Sequence, residues 1–283
     1  MTGRSMRIML IGAITILLIA LITVSIGGRM FRRQVKQEVT QLFEAGTKSG
    51  GTFTYDQIEA LPDPVQRYFR YALKEWQTYI SYARLKHTGT FRTTPGKKWM
   101  PIAGEQYFAT EKPGFVWFAK VKPFPLFWIA ARDRYFQGKG NVLIKLYSTI
   151  TIGNSNGKEV DQGSLLRFLG EAAWFPTALL PGEQLHWESV DDRSAKVIFS
   201  DRGIDVSALV HFNDKGKITD LVADRYKDTT LERWTGSYME YKEMHGVMIP
   251  TMIEAVWNLG SGNFSYAKFR ITEIEYNNPS VYK

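Results

Sequence analysis

The sequence contains no cysteine, so disulfide frameworks, thiol nucleophiles, cysteine zinc sites and an acylated lipobox are all excluded. Histidine is scarce. His87, His186, His211 and His245 are dispersed, with no HExxH string and no pair at i, i+4, so the spacing carries no metal-ligand signature. Glycine-rich phosphate loops are missing too. Gly138-Lys139-Gly140 lacks a third glycine and leads into an extended run rather than a helix, so neither a nucleotide nor any other cofactor is indicated. A basic stripe is also lacking, despite a formal net charge of +8. Residues 1–48 hold seven basic residues against two acids, whereas the remaining chain carries 29 basic and 26 acidic side chains. A domain so nearly balanced does not present the electrostatic footprint of a nucleic-acid binder.

What the chain does have is length, apolar content and rings. It runs to 283 residues with 44% hydrophobic and 14% aromatic composition, including 17 Phe, 14 Tyr and 8 Trp, enough to bury a sizeable core. Between Arg7 and Arg29 lies an uncharged run, Ile8 to Gly28. At about 1.5 Å rise per residue such a run spans roughly 30 Å, one hydrocarbon core, and predicts a single-pass transmembrane helix over residues 8–28 after a short tail at 1–7. A cleaved signal peptide is the competing reading, with Arg4 and Arg7 as the basic flank and Ser25-Ile26-Gly27 as a small-x-small site. The run exceeds the usual apolar stretch of a signal peptide and ends in Arg29, Arg32, Arg33 and Lys36, which favours the anchor. That basic juxtamembrane segment suits anionic headgroups, so the membrane itself is an expected partner. Counted as flanking charges, it leans towards a cytoplasmic domain by a small margin.

Past the anchor, Phe31, Val35, Val39, Leu42 and Phe43 recur at helical spacing up to Gly46, and Gly46 to Thr52 reads as a flexible linker. A second helix is announced near residues 64–74 by Asp63 at the N-cap, Pro64 at N1 and Gln66 at N3, with Val65, Tyr68, Phe69, Ala72 and Leu73 as one apolar stripe. From about Tyr79 the pattern changes to short alternating runs punctuated by turn residues, the signature of an antiparallel sheet. Val142 to Ile152 is the clearest run. Lys196–Ser200, Ile204–Phe212, Lys217–Tyr226, Arg233–Met244, Val247–Leu259 and Phe264–Tyr276 read as a meander. Residues 53–283 thus form one mainly β domain with some α: a curved antiparallel sheet, or half-barrel, with a helix across its concave face.

That helix is expected near residues 164–180. Ser164 to Ala173 is apolar nearly all round, and Trp174-Phe175-Pro176 and Leu179-Leu180 extend the apolar run. A helix of this kind must be buried, and in a curved sheet its place is the hollow. Arg167 and Glu171, at i and i+4, form its polar edge and a possible buried pair. A buried Glu171 would have a raised pKa and could serve as a general acid, although a structural pair with Arg167 accounts better for its presence. Gly153-Asn154-Ser155-Asn156-Gly157 matches a nucleophile elbow only as a string, because Lys158 to Asp161 gives no sign of a following helix and Asn-Gly marks a hairpin. The sequence therefore assigns no catalytic residue and no metal ligand.

Phe115 to Phe136 concentrates rings, among them Trp117, Phe118, Phe124, Phe127 and Trp128, while Pro113, Pro123 and Pro125 interrupt pairing there. The segment serves either as ordinary core or as the rim of an apolar pocket. If a pocket exists between sheet and helix, its walls would come from Trp117, Trp128, Leu165, Phe168, Leu169, Trp174 and Phe175.

Leu61–Tyr68 (LPDPVQRY), Gly114–Ala119 (GFVWFA), Gly138–Leu146 (GKGNVLIKL), Ser164–Pro181 (SLLRFLGEAAWFPTALLP) and Ile249-Pro250 near Trp257 together resemble a bacterial membrane-anchored family of unknown function (DUF6544/DUF6920-like) over most of residues 61–276. The family is similar in predicted shape to the lipoprotein-carrier half-barrels, in which a curved sheet wraps helices over a hydrophobic cavity. The resemblance implies an extracytoplasmic domain and a lipid or lipoprotein acyl chain as ligand. It implies no catalytic residues. An envelope protein with a fully packed interior, and a hydrolase built on Glu171, are the alternatives.

Overall fold

The computed structural model describes residues 3–282. Helix α1 runs unbroken from Gly3 to Ala45, so the tail expected at residues 1–7 is helical from Gly3, while Met1 and Thr2 lie outside the described residues. α1 is long and apolar enough to cross a membrane by length and composition, a test that a signal sequence near the N-terminus also passes. Its first half stands clear of the rest, with Ile8, Leu10, Leu17 and Ile22 exposed. Its second half is docked: Phe31, Val35, Val39, Leu42 and Phe43 are buried against Tyr82, Tyr107, Val116, Phe118 and Leu143. The expected helical stripe therefore continues the helix and covers one face of the sheet.

Among the described residues thirteen strands form one sheet. They are β1 (Tyr82–Phe91), β2 (Met100–Ala109), β3 (Gly114–Phe124), β4 (Phe127–Phe136), β5 (Lys139–Leu146), β6 (Ile150–Ser155), β7 (Leu185–Asp191), β8 (Ser194–Asp201), β9 (Ile204–Phe212), β10 (Ile218–Lys227), β11 (Thr230–Met244), β12 (Val247–Leu259) and β13 (Gly262–Tyr276). The spatial order is β6-β5-β4-β3-β2-β1-β13-β12-β11-β10-β9-β8-β7. Every paired neighbour is antiparallel, so the sheet consists of two meanders joined where β1 pairs with β13. Helices α2 (Asp63–Ala72) and α3 (Lys158–Glu171) complete the fold, α3 being followed by two 3-10 turns at Ala172–Trp174 and Pro176–Leu179.

The sheet is strongly curved. Strands of a sheet twist steadily in one sense, so thirteen of them cannot stay flat. Here α3 lies against β4 and β5 on one side and β9 and β10 on the other, bridging the two halves of a half-barrel. On one rim the halves meet, since Tyr135 of β4 donates to Asp201 of β8 at 2.7 Å. Side chains alternate across this shell: Val116 and Phe118 point outward under α1, and Phe115 and Trp117 point into the hollow. Within it, Phe108, Phe115, Phe168, Trp174 and Phe175 form one ring cluster, with Phe108 and Phe175 centroids 4.6 Å apart. α3 presses onto β5 so closely that a Cβ at Gly140 would lie 2.5 Å from the Val160 carbonyl oxygen, and the Gly140 amide donates to Asp161 at 2.7 Å.

Several expectations need correction. Val142–Ile152 is not one strand but the β5–β6 hairpin, turning at Tyr147 and Ser148 with φ of 52° and 60°. Neither residue advertises a left-handed turn, which is why the alternation concealed it. The strand-and-helix pattern denied to Gly153–Gly157 exists, because β6 enters and α3 leaves at Lys158. The string remains inert: Ser155 ends an exposed strand, and among the described residues its hydroxyl has no hydrogen-bond partner. Gly46–Thr52 is tied down rather than loose, through the Ser49 amide on Ser81, the Gly51 carbonyl on Tyr79 and a Thr52–Thr78 bridge. Pro123 and Pro125 sit at the β3–β4 hairpin end, where the register shifts between Val121 and Phe124, so they interrupt pairing only beside the turn and the surrounding segment is regular sheet. The helix expected at residues 164–180 starts earlier and breaks into 3-10 turns at Ala172, short of Pro176. α2 begins one residue earlier than its cap signal suggested and ends at Ala72.

Candidate functional site

The hollow is not filled by its own side chains. Between α3 and the two meanders lies a cavity of about 510 Å³, open at one end. Ile102, Val121, Ile129 and Ile144 wall one side, and Trp234, Ile253, Ala255 and Phe269 the other. α3 closes the floor with Arg167, Gly170 and Glu171. Ligand pockets are typically about 300–1,000 Å³, mostly apolar, with few polar groups placed among them. A depression of about 520 Å³ beside the end of α1 mixes apolar groups such as Leu42 and Phe136 with charged and amide groups such as Glu111, Gln184 and Arg202, and is not of this kind.

The floor is a buried ion cluster. The Arg167 guanidinium donates to Glu171 at 2.9 Å and to Asp133 at 2.7 Å, and lies over the rings of Phe115 and Trp117. Gln106 donates to the other oxygen of Glu171 at 2.6 Å. Burial works against the Arg167 cation, but the two carboxylates outweigh it and hold it firmly charged. Burial pushes the Glu171 carboxyl above the usual carboxylate range, against the pull of Arg167 and Gln106. Asp133 Oδ1, which faces the same space, has no partner among the described residues. Glu171 is thus clamped by an arginine and an amide, while the unsatisfied acceptor belongs to its neighbour.

Beside the cluster, the Trp117 indole donates to His87 Nε2 at 2.7 Å, which leaves the proton of the neutral ring on Nδ1. Burial, with Arg167 adding to it, lowers the His87 pKa to about 3 from an ordinary value near 6.5. The unfolded chain therefore binds a proton there that the folded protein refuses. Stability from this group is complete above pH about 6.5 and is lost as pH falls towards about 3, an effect of a few kcal/mol in total. The expected result is a thermal midpoint that declines over that range in the full chain, with a shallower decline in His87→Gln, followed by circular dichroism. Equal slopes would contradict it.

Of the residues expected to wall a pocket, Trp117 does so. Leu165, Phe168, Leu169, Trp174 and Phe175 belong to the packed core instead, on faces of α3 and its 3-10 extension turned away from the cavity. The reason is steric: large side chains fill the space between helix and sheet, and the helix turns Gly170 and its polar edge to the hollow. Trp128 is half-buried at the far end of β4, donating to Ser148 at 3.1 Å. Arg167 and Glu171 are paired, but as part of a larger cluster than two residues. The sequence does not show that Asp133, Gln106 and His87 converge here, because they come from separate strands. Their one sequence signal is parity: His87 is in phase with Leu85, and Gln106 with Phe108, so each had to point inward. Arg225, on the opposite wall, has no carboxylate partner among the described residues and sits over the rings of Trp234 and Trp257.

A curved antiparallel sheet, a helix seated in its hollow and an apolar cavity floored by ions define a half-barrel protein with an internal pocket. The chain belongs to the family of unknown function DUF6544, whose model matches residues 51–269. Comparison with curated proteins gave no match. Among solved structures, a LolA superfamily protein from Nitrosomonas europaea is similar at 12% identity and a TM-score of 0.41, covering 77% of this chain and 95% of that one.

Proposed function

We propose that the chain is a membrane-anchored, noncatalytic binding module whose cavity takes the apolar chain of an amphiphile, such as the acyl chain of a lipid or lipoprotein, on the extracytoplasmic side. One observation carries this reading: an apolar hollow of about 510 Å³ stays open in a protein whose remaining interior is closely packed. A hollow open to solvent holds water against an apolar wall, and an apolar guest that displaces this water removes that surface from it and adds dispersion contacts. Arg225 supplies a cation at the wall for an acidic headgroup. The basic residues Arg29, Arg32, Arg33 and Lys36 follow the apolar half of α1, as expected of an anchor beside anionic lipid. A packed envelope protein would not leave this space. A hydrolase would need Glu171 free to exchange protons, whereas Arg167 and Gln106 occupy both of its oxygens.

Lipid extraction and mass spectrometry of the full chain, purified in a detergent absent from the source membrane, tests the proposal. The expected result is roughly one acyl-bearing molecule retained per chain after extensive washing. Recovery no greater than that of a membrane protein without a cavity would overturn it.

A further inference from the structure

The anchor and the open end of the cavity lie at the same pole of the molecule. α1 enters the fold from its N-terminal half, and its last apolar turn touches the β5–β6 hairpin: the Thr149 hydroxyl lies 3.5 Å from the Val24 carbonyl, and a Cβ at Gly27 would strike Thr149. Further along, Phe31 packs on Phe118, Arg32 pairs with Glu105, and Leu42 lies against Gly114, so α1 descends the sheet away from that pole. Residues 8–28 therefore project outward from the level of the hairpin tips.

The β3–β4 tip is apolar and exposed, and the exposed Ile150 follows the β5–β6 turn, in which Ser148 is buried. Ser148 accepts from the Trp128 indole, and Phe127 and Trp128 pack edge-on to Tyr147, which joins the β3–β4 tip to the β5–β6 tip. Beyond them Phe124 is 69% exposed and Leu126 is 92% exposed, and neither has a reason to face water. Trp and Tyr behind an apolar tip, with Lys120, Lys122 and Arg29 exposed around it, repeat the order met on crossing a bilayer interface. Burial first, then the nearby charges of Arg32 and Lys122, disfavour the charged form of Lys120, and with Arg32 already paired to Glu105 it is Lys120 and Lys122 that an anion would meet. The cavity mouth adjoins the tips, since Val121 and Ile129 flank the β3–β4 turn and Ile152, 55% exposed, follows the β5–β6 turn.

We infer that the two hairpin tips, led by Leu126 and Phe124, insert into the same bilayer face that α1 crosses, so that the cavity opens onto lipid and its guest enters without passing through water. This rests on the anchor assigned under the proposed function and adds a second, independent membrane contact. The occupant is the anionic bilayer surface. A helix docked along the sheet leaves rotation about its own axis free, and the paired tips would fix the orientation of the mouth.

Because the sequence lacks cysteine, single nitroxide labels report position in the full chain. Leu126→Cys, Leu17→Cys and Lys215→Cys would be labelled in turn, Lys215 being exposed in the β9–β10 turn. Each would be reconstituted into phosphatidylcholine vesicles containing phosphatidylglycerol, and collision with oxygen compared with collision with a water-soluble nickel chelate. At 126 oxygen is expected to win several-fold, as at 17, with the reverse at 215. A label at 17 in hydrocarbon with one at 126 in water would overturn the inference and leave the anchor standing. Water at both positions would overturn the anchor as well. Replacement of phosphatidylglycerol by phosphatidylcholine is expected to weaken the oxygen preference at 126 and leave 17 unchanged.

Discussion

Replacing Arg167 by methionine is expected to destabilise the full chain by about 3–5 kcal/mol, the scale on which one partner of a buried ion cluster is lost. On a domain of this size that lowers the thermal midpoint by roughly 10 °C. Methionine keeps most of the stem but removes the guanidinium that lies over Phe115 and Trp117, and it leaves Glu171 and Asp133 facing each other in an apolar hollow. The Glu171 carboxyl, already raised by burial, would lose the pull of Arg167 and ionise still less readily folded than unfolded. Its penalty is therefore present above the usual carboxylate range and fades as pH falls through it, so the variant is expected to recover in acid relative to the wild type. Differential scanning calorimetry across pH 4 to 8 reads both effects. A variant as stable as the wild type at neutral pH would mean that the cluster is solvated and that the cavity floor is not what the geometry indicates.

The architecture was readable where pattern and period agree. Alternation gave the strands from Lys196 to Tyr276 within a few residues, because their turns carry Gly, Asn and Asp at the positions that need them. The apolar run from Ser164 fixed the buried helix, and curvature followed from needing a hollow to hold it. Legibility failed where chemistry is non-local. Tyr147 and Ser148 adopt left-handed backbone without glycine, so the β5–β6 turn was read as strand. The site was harder still. A helix apolar on almost every face does not say which face meets the sheet and which meets the void, and the largest side chains of the plug went to the core. What faces the cavity is the exception to the pattern: Gly170 and the Arg167–Glu171 edge, met by Asp133 and Gln106 from strands some 30 to 65 residues away in sequence. Only the fold brings those together. The exposed tip at Phe124 to Phe127 was visible as a cluster of rings and prolines, but its bearing on the membrane depends on where α1 runs.

Obstruction of the cavity supplies the second large effect. Ala131 of β4 and Ala255 of β12 stand on opposite walls, both lining the hollow and neither fully buried. An indole at either position would occupy the space offered to a guest, adding apolar contact without removing any group of the ion cluster. Ala131→Trp and Ala255→Trp are therefore expected to hold or raise the thermal midpoint while weakening ligand binding at least tenfold, which corresponds to about 1.4 kcal/mol. Stability and binding would move in opposite directions, which no general unfolding effect produces.

Titration of the delipidated full chain with a fluorescent fatty acid, run beside both tryptophan variants, addresses the claim that the hollow is a binding site. The account predicts saturable uptake of about one probe per chain by the wild type and a shift of at least tenfold in Ala131→Trp and Ala255→Trp. Uptake that fails to saturate, or that both variants share unchanged, would contradict it.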